Sequence, residues 1–188
     1  MIFLTYFLLV LLLVFALVLL LFFVLTAESM VRGHDLPTST RATKALVSTI
    51  RKYNPDAKCF YDLGCAHGAL SMRLKKVLPQ LEIYGMDNGV IRILFARLKS
   101  KILGHQINFQ KQDIFKTDLQ NADVVYTYLW YDHMPILEKK LQAELKPGAV
   151  VITNTSHFQD WPLAEKIVTC PRVSNTPDFE TLFVYVKE

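Results

Sequence analysis

The pattern of polar and apolar positions divides the chain in two. Residues 2–25, IFLTYFLLVLLLVFALVLLLFFVL, are apolar on every side, with Thr5 the one interruption. A helix of this length rises about 1.5 Å per residue and so covers a hydrocarbon core of about 30 Å with some tilt. From residue 38 the pattern becomes periodic. Thr38-Ser39-Thr40 offers an N-cap, and Ala42, Ala45, Leu46, Thr49, Ile50 and Tyr53 recur at helical spacing until Asn54-Pro55 stops them. Short strands are expected at 59–63, 81–86, 107–110, 123–128 and 149–154. Helices fall between most of them, at 69–78, 88–102 and 134–145. Leu70, Leu74, Val77 and Leu78 share a face of the first of these. Val90, Ile91, Leu94, Phe95, Leu98 and Ile102 share a face of the second, and Leu137, Leu141 and Leu145 a face of the third.

Strands alternating with helices predict an α/β fold with a doubly wound, mostly parallel sheet. Lys166–Cys170 and Thr181–Lys187 follow without a helix between them, across a loop rich in Pro, Asn and Asp. So short a connection favours antiparallel pairing. The expected sheet therefore has seven strands and an antiparallel C-terminal edge pair, preceded by one transmembrane helix. The expected divisions are an anchor at 1–27, a linker at 28–37 and a folded domain at 38–188.

Charge sharpens the division. All 21 Lys and Arg and all 17 Asp and Glu lie beyond residue 27. No basic residue precedes the apolar run, the run exceeds the length of a signal peptide's apolar stretch, and Leu25-Thr26-Ala27 is a poor cleavage site. An uncleaved anchor is preferred over a signal peptide. Arg32, Arg41, Lys44, Arg51, Lys52 and Lys58 outnumber Glu28, Asp35 and Asp56 after it, which predicts the domain on the cytoplasmic or mitochondrial matrix side. The net charge of +4 comes with no basic-aromatic stripe, so no nucleic-acid partner is expected. Cys59, Cys65 and Cys170 form neither a CxxC nor a zinc-spaced cluster with histidines, so no metal is expected and buried thiols are the simplest reading. No G-x-S-x-G occurs, which argues against a serine hydrolase.

The first strand runs into Asp62-Leu-Gly64-Cys-Ala-His-Gly68, a glycine turn opening directly onto a helix. Glycines there let the backbone approach a ligand, which in open α/β sheets sits beyond the strands' carboxyl ends. Alone, this is also what any tight turn looks like. Asp87 ends the second strand, where an acid can accept from ribose hydroxyls. Asp113 follows the third, where an acid can accept from an exocyclic amine beside an apolar wall from Ile114. A dinucleotide fingerprint would want further glycines where Ala66 and Ala69 stand. His67 is read as a cap for the next helix.

The pattern D-x-G-x-A-x-G, together with the antiparallel end, resembles the seven-β-strand S-adenosylmethionine-dependent methyltransferases, whose first motif is an acid followed by G-x-G-x-G. The departure is Ala66 for the middle glycine. Leu36-Pro-Thr-Ser-Thr40, Tyr126-Thr-Tyr-Leu-Trp130, the segment Leu137–Gly148 and Asp160-Trp161-Pro162 resemble one subgroup. It comprises small membrane-anchored methyltransferases related to the ATP synthase c-subunit lysine methyltransferase and its adenine nucleotide translocase-directed sister. The resemblance covers roughly residues 36–186. It implies S-adenosyl-L-methionine as cofactor, bound by Thr40, Asp62, Gly64, Gly68, Asp87, Asp113 and Ile114, and a lysine on a membrane-associated protein as acceptor.

Methyl transfer to a lysine needs a neutral amine, favoured by a desolvated pocket. The loop Tyr128-Leu-Trp-Tyr-Asp-His133 offers Tyr128, Trp130 and Tyr131 as cation–π faces, and Asp132 or His133 to orient or deprotonate the amine. Packing of Tyr128 and Trp130 in the core is the competing reading, and Trp161 is read as packing. The Asn/Asp-Pro-Pro-Tyr segment of amide-directed methyltransferases is absent, which argues against adenine, cytosine or glutamine targets. Three functions remain open: an anchored protein-lysine methyltransferase, a methyltransferase of small or lipid-soluble acceptors, and a non-catalytic module that keeps the fold.

Overall fold

The computed structural model describes residues 2–32, 36–170 and 180–188. The apolar segment is a single helix, α1 (Ile2–Arg32). Its stretch Phe3–Leu20 has a mean hydropathy of 3.1 and is long and apolar enough to cross a membrane. The helix runs five residues into the expected linker, because residues 28–32 contain no Gly or Pro to stop it. The rest of that linker at 33–35, and the loop expected at 171–179, lie outside the described residues.

Residues 36–188 form a unit of their own. Its elements are α2 (Thr40–Tyr53), β1 (Cys59–Leu63), α3 (Ala69–Val77), β2 (Glu82–Asp87), α4 (Val90–Ile102), β3 (Asn108–Lys111), β4 (Val124–Thr127), α5 (Met134–Glu144), β5 (Val150–Asn154), β6 (Glu165–Cys170) and β7 (Glu180–Val186). Ser39 caps α2, its Oγ accepting from Ala42 N at 3.0 Å. The seven strands stand in the order β3-β2-β1-β4-β5-β7-β6. β1 to β5 are parallel, and β7 inserts between β5 and β6, antiparallel to both. The winding reverses between β1 and β4. Such a switch point opens a crevice beyond the strands' carboxyl ends.

The pleat sorts alternate residues to opposite layers. On one face Phe60 of β1 packs with Leu46 and Ile50 of α2 and Leu70 and Leu74 of α3. On the other, Tyr61 and Leu63 pack with Leu137, Leu141 and Leu145 around α5, together with Phe158, Trp161 and Tyr185. Trp161 is packing, as expected: its ring stacks on Phe158 with centroids 5.7 Å apart, and Nε1 donates to Val186 O at 3.3 Å. Among the described residues, the seven strands and the three apolar clusters all lie within 36–188, so this unit carries a core of its own.

α4 departs from the expected burial. The face that turns inward carries Arg92, Ile93, Ala96 and Ser100, while Val90, Leu94, Phe95, Leu98 and Ile102 are exposed. The reason is the closeness of the packing. A Cβ on Gly68 would lie 2.3 Å from the Phe109 ring and 3.3 Å from Ala96 Cβ, and one on Gly85 would lie 2.5 Å from the same ring. Phe109 fills this space with Ile93 and the short Ala96 of α4 packed in the same cluster, and Arg92 turns in toward Asp87, Nη1 to Oδ2 at 4.0 Å. On α3, Leu70, Leu74 and the following Leu78 are buried as expected, whereas Val77 is exposed. Cys65 is buried and Cys59 and Cys170 half-buried, all as free thiols. Burial pushes the Cys65 thiol up, toward an inert protonated group.

Candidate active site

The chain leaves β1 through Gly64, Cys65, Ala66, His67 and Gly68 before α3 begins. Gly64 N and Cys65 N donate to Met86 O at 2.8 and 3.0 Å, which fastens the loop to β2. Gly64 and Gly68 have φ of +83° and +71°, in the left-handed region that favours glycine. A Cβ on Gly64 would also press on Leu129 Cδ2, at 2.9 Å. Ala66 takes φ +46° as well, against the steric preference of an L-residue. Its N–H donates to Asp87 Oδ2 at 3.0 Å, so the carboxylate that ends β2 holds the loop in place. Asp87 Oδ1 accepts from Gly89 N at 2.7 Å.

Asp62 lies beneath this loop rather than on it. It is buried and accepts from Ser71 Oγ of α3 at 2.6 Å. Burial, with the Asp87 carboxylate adding to it against the Ser71 bond, raises its pKa to about 7. α3 starts at Gly68 without a capping side chain, so its first-turn amides carry the positive end of the helix. The His67 ring meets the edge of Phe95, centroids 6.3 Å apart.

After β3, the exposed Asp113 caps a 3₁₀ turn at Ile114–Lys116, its Oδ1 accepting from Phe115 N at 3.0 Å, and Ile114 is half-buried. After β4, Tyr128 packs half-buried against the α2–α3 layer. Trp130 and Tyr131 are 63% and 48% exposed and lead with Asp132 into a second 3₁₀ turn, Tyr131–His133. The expected aromatic set therefore divides: Tyr128 packs, and Trp130, Tyr131 and Asp132 face outward. Thr40 is exposed at the start of α2. The polar side-chain contacts of that entry segment come from its neighbours: Thr38 Oγ1 and Tyr126 OH are 2.7 Å apart, and Ser39 N donates to Glu180 Oε1 at 3.0 Å.

Two features escaped the sequence pattern. The Tyr131 hydroxyl is hydrogen-bonded to Nδ1 of His157, whose ring crosses that of Tyr131 at 88°. His157 follows β5, and the rule that functional residues gather beyond strand carboxyl ends could have found it. The second is a buried chain linking Thr38, Tyr126, Asn154 and Glu180. Asn154 Nδ2 donates to Tyr126 OH at 3.0 Å and to Glu180 Oε1 at 3.1 Å. Nearby, Ser156 Oγ donates to Leu129 O at 2.8 Å and ties the loop after β5 to the loop after β4.

Residues 62–165, from this glycine turn to the start of β6, match the family described as ANTKMT methyltransferase domain. The chain belongs to that family. Over 153 residues it is 24% identical to a protein-lysine N-methyltransferase of Saccharolobus islandicus, covering 80% of this chain and 91% of that one. A 76-residue stretch is 34% identical to a release factor glutamine methyltransferase of Bacteroides thetaiotaomicron, covering 40% of this chain and 27% of that one. An RNA methyltransferase of Salinibacter ruber, solved with S-adenosyl-L-homocysteine, superposes with a TM-score of 0.69 at 20% identity, over 80% of this chain and 93% of that one. Family and fold together make this ANTKMT-family chain a class I S-adenosylmethionine-dependent methyltransferase. Three different acceptors among three relatives illustrate that the fold alone does not choose the substrate.

The residues present suit such a donor. Its ribose calls for hydrogen-bond acceptors, its adenine for an apolar face and an acceptor, and its amino-acid carboxylate for open amides. Asp87, Ile114 with Asp113, and the uncapped first turn of α3 supply these three kinds of group.

Proposed function

We propose that this chain is a membrane-anchored protein-lysine methyltransferase, held by α1 with its folded unit on the cytoplasmic or matrix side. The observation that carries the reading is the exposed Trp130 and Tyr131 directly after β4, beside the glycine turn at the switch point, with Tyr131 paired to His157. The lysine methyltransferase relative supports the acceptor class. The apolar stretch of α1 and the basic excess that follows it support the anchor and its orientation.

When bound, S-adenosyl-L-methionine supplies a methyl group already activated on a sulfonium, so the protein's work is positioning and desolvation. Asp87 and Asp113 accept from the nucleoside, Ile114 packs on its base, and the amides opening α3 receive its carboxylate. Asp62 works from below, holding α3 to β1 through Ser71. Gly64 and Gly68 allow the loop's left-handed turns, and Thr40 borders the site from the start of α2. On the acceptor side, Trp130 and Tyr131 offer aromatic faces to the lysine ammonium, worth about 0.5–2 kcal/mol. Asp132 orients the amine, and the Tyr131–His157 pair takes its proton before attack.

The experiment that tests this supplies labelled donor to membranes containing the full chain, then hydrolyses the labelled protein. Methyl-lysine in a membrane protein is expected. Label recovered only in the organic extract would replace the lysine reading with a lipid-soluble acceptor, and no label would refute transfer.

A further inference from the structure

α4 presents to solvent the face that its sequence would bury. Val90, Leu94, Phe95, Leu98, Ile102 and the following Leu103 are 42–75% exposed. At about 100° per residue Val90, Leu94, Phe95, Leu98 and Ile102 form one stripe, opposite the face held by Arg92, Ile93, Ala96 and Ser100, while Leu103 lies just past the helix and outside the stripe. Their number and alignment set them apart from the scattered apolar residues of an ordinary surface. The same spacing puts Arg97 just outside one border of the stripe, its Nε donating to Phe109 O at 2.8 Å, Lys101 at that edge in line with Val90 and Leu94, and Lys99 outside the other border. The helix, VIRILFARLKSKI, contains no acid.

We propose that this face of α4 is a second membrane contact, lying in the interface of a bilayer that carries anionic lipid. An interfacial helix buries an apolar stripe to the depth of the upper acyl chains and sets cations at its borders among the headgroups. α4 has that arrangement, with the folded unit occupying its inner face. The borders favour lipid over a second copy of the chain. Two such stripes meeting about a two-fold axis would bring lysines and arginines together with no acid of α4 between them. The proposal rests on the reading that the enzyme works at a membrane. Residues 33–35 alone separate α1 from the folded unit in sequence, so a bilayer holding α1 is presented to α4 at high effective concentration.

The test uses residues 36–188, which carry a core of their own, with vesicles of phosphatidylcholine alone or mixed with phosphatidylserine. Cosedimentation with the anionic vesicles is expected. Leu94→Glu with Leu98→Glu should lower partition at least about tenfold, because apolar contact drives interfacial burial. Lys99→Glu with Lys101→Glu should lower it by about tenfold on anionic vesicles only. Thermal melts read alongside confirm that these exposed substitutions leave the fold intact. Absence of binding, or equal binding by the leucine variant, overturns the proposal. So does a dimer in sedimentation equilibrium that the leucine variant dissociates, which would assign the face to a second copy. The assay uses neither donor nor acceptor, so its failure leaves the methyltransferase reading standing. Carbonate extraction of the full chain tests α1 separately.

Discussion

Asp87 Oδ2 accepts the hydrogen bond of Ala66 N at 3.0 Å, and Ala66 sits at φ +46°. One carboxylate thus holds a residue in a backbone region that costs an L-residue about 1–2 kcal/mol. Asp87→Ala should release the loop and weaken S-adenosyl-L-methionine binding more than tenfold in calorimetric titration. Ala66→Gly should leave binding intact and change stability by less than about 1 kcal/mol in the stabilising direction, since relief of strain is offset by a more flexible unfolded chain. A clear drop in melting temperature for Ala66→Gly would show that the left-handed turn is not under strain.

Gly68 combines two constraints, a φ of +71° and a missing Cβ that would lie 2.3 Å from the Phe109 ring. Gly68→Ala therefore adds both backbone strain and overpacking, each costing about 1–3 kcal/mol. Chemical denaturation should show a loss of about 3 kcal/mol or more. Adding Phe109→Leu should recover part of that loss, whereas simple additivity of the two changes would deny the clash.

Asp62 gives the stability a pH dependence of known sign. Its pKa rises from an ordinary carboxyl value to about 7 on folding, mainly through burial. Between about pH 4 and pH 7 the folded state therefore holds a proton that the unfolded state has released. This group's contribution is fully present below pH 4, is lost as pH rises to about 7, and is constant above. The linked change is on the order of 4 kcal/mol. Denaturation of Asp62→Asn should lack that slope, and equal slopes for parent and variant over pH 4–7 would contradict the assignment.

Much of this was legible in the chain because the periodicities were clean. The strand ending at Leu63, the glycine turn after it and the acids at 87 and 113 all stand at or just beyond the carboxyl ends of β1, β2 and β3. α4 was misread because its stronger apolar stripe faces water, while its inward face meets Phe109 of the neighbouring strand with Ile93 and Ala96. Periodicity reports a stripe without saying what it meets. His157 and the chain from Thr38 through Tyr126 to Asn154 and Glu180 were invisible for another reason. Their members come from four or more separate segments, and only the strand order brings β4, β5 and β7 side by side.

That buried chain makes a prediction of its own. Tyr126→Phe removes the hydroxyl between Thr38 Oγ1 and Asn154 Nδ2 and leaves both without that partner. An unsatisfied buried polar group costs about 1–3 kcal/mol. Urea denaturation should register a loss of that size, while donor affinity measured on the folded variant changes less than about threefold. A variant as stable as the parent would mean that water readily replaces the hydroxyl.

On the acceptor side, exposure separates catalysis from stability. Trp130 and Tyr131 are 63% and 48% exposed, so Trp130→Ala and Tyr131→Phe should each move stability by less than about 0.5 kcal/mol. If Tyr131 and His157 act as one unit on the lysine proton, Tyr131→Phe and His157→Gln should each lower kcat/KM by about a hundredfold. The double variant should then be little worse than either alone, because the second substitution removes an interaction already lost. KM for the donor should hold steady in all three. Losses that multiply would make His157 a packing partner of Tyr131 and Phe183 and leave deprotonation of the acceptor to Asp132 or solvent.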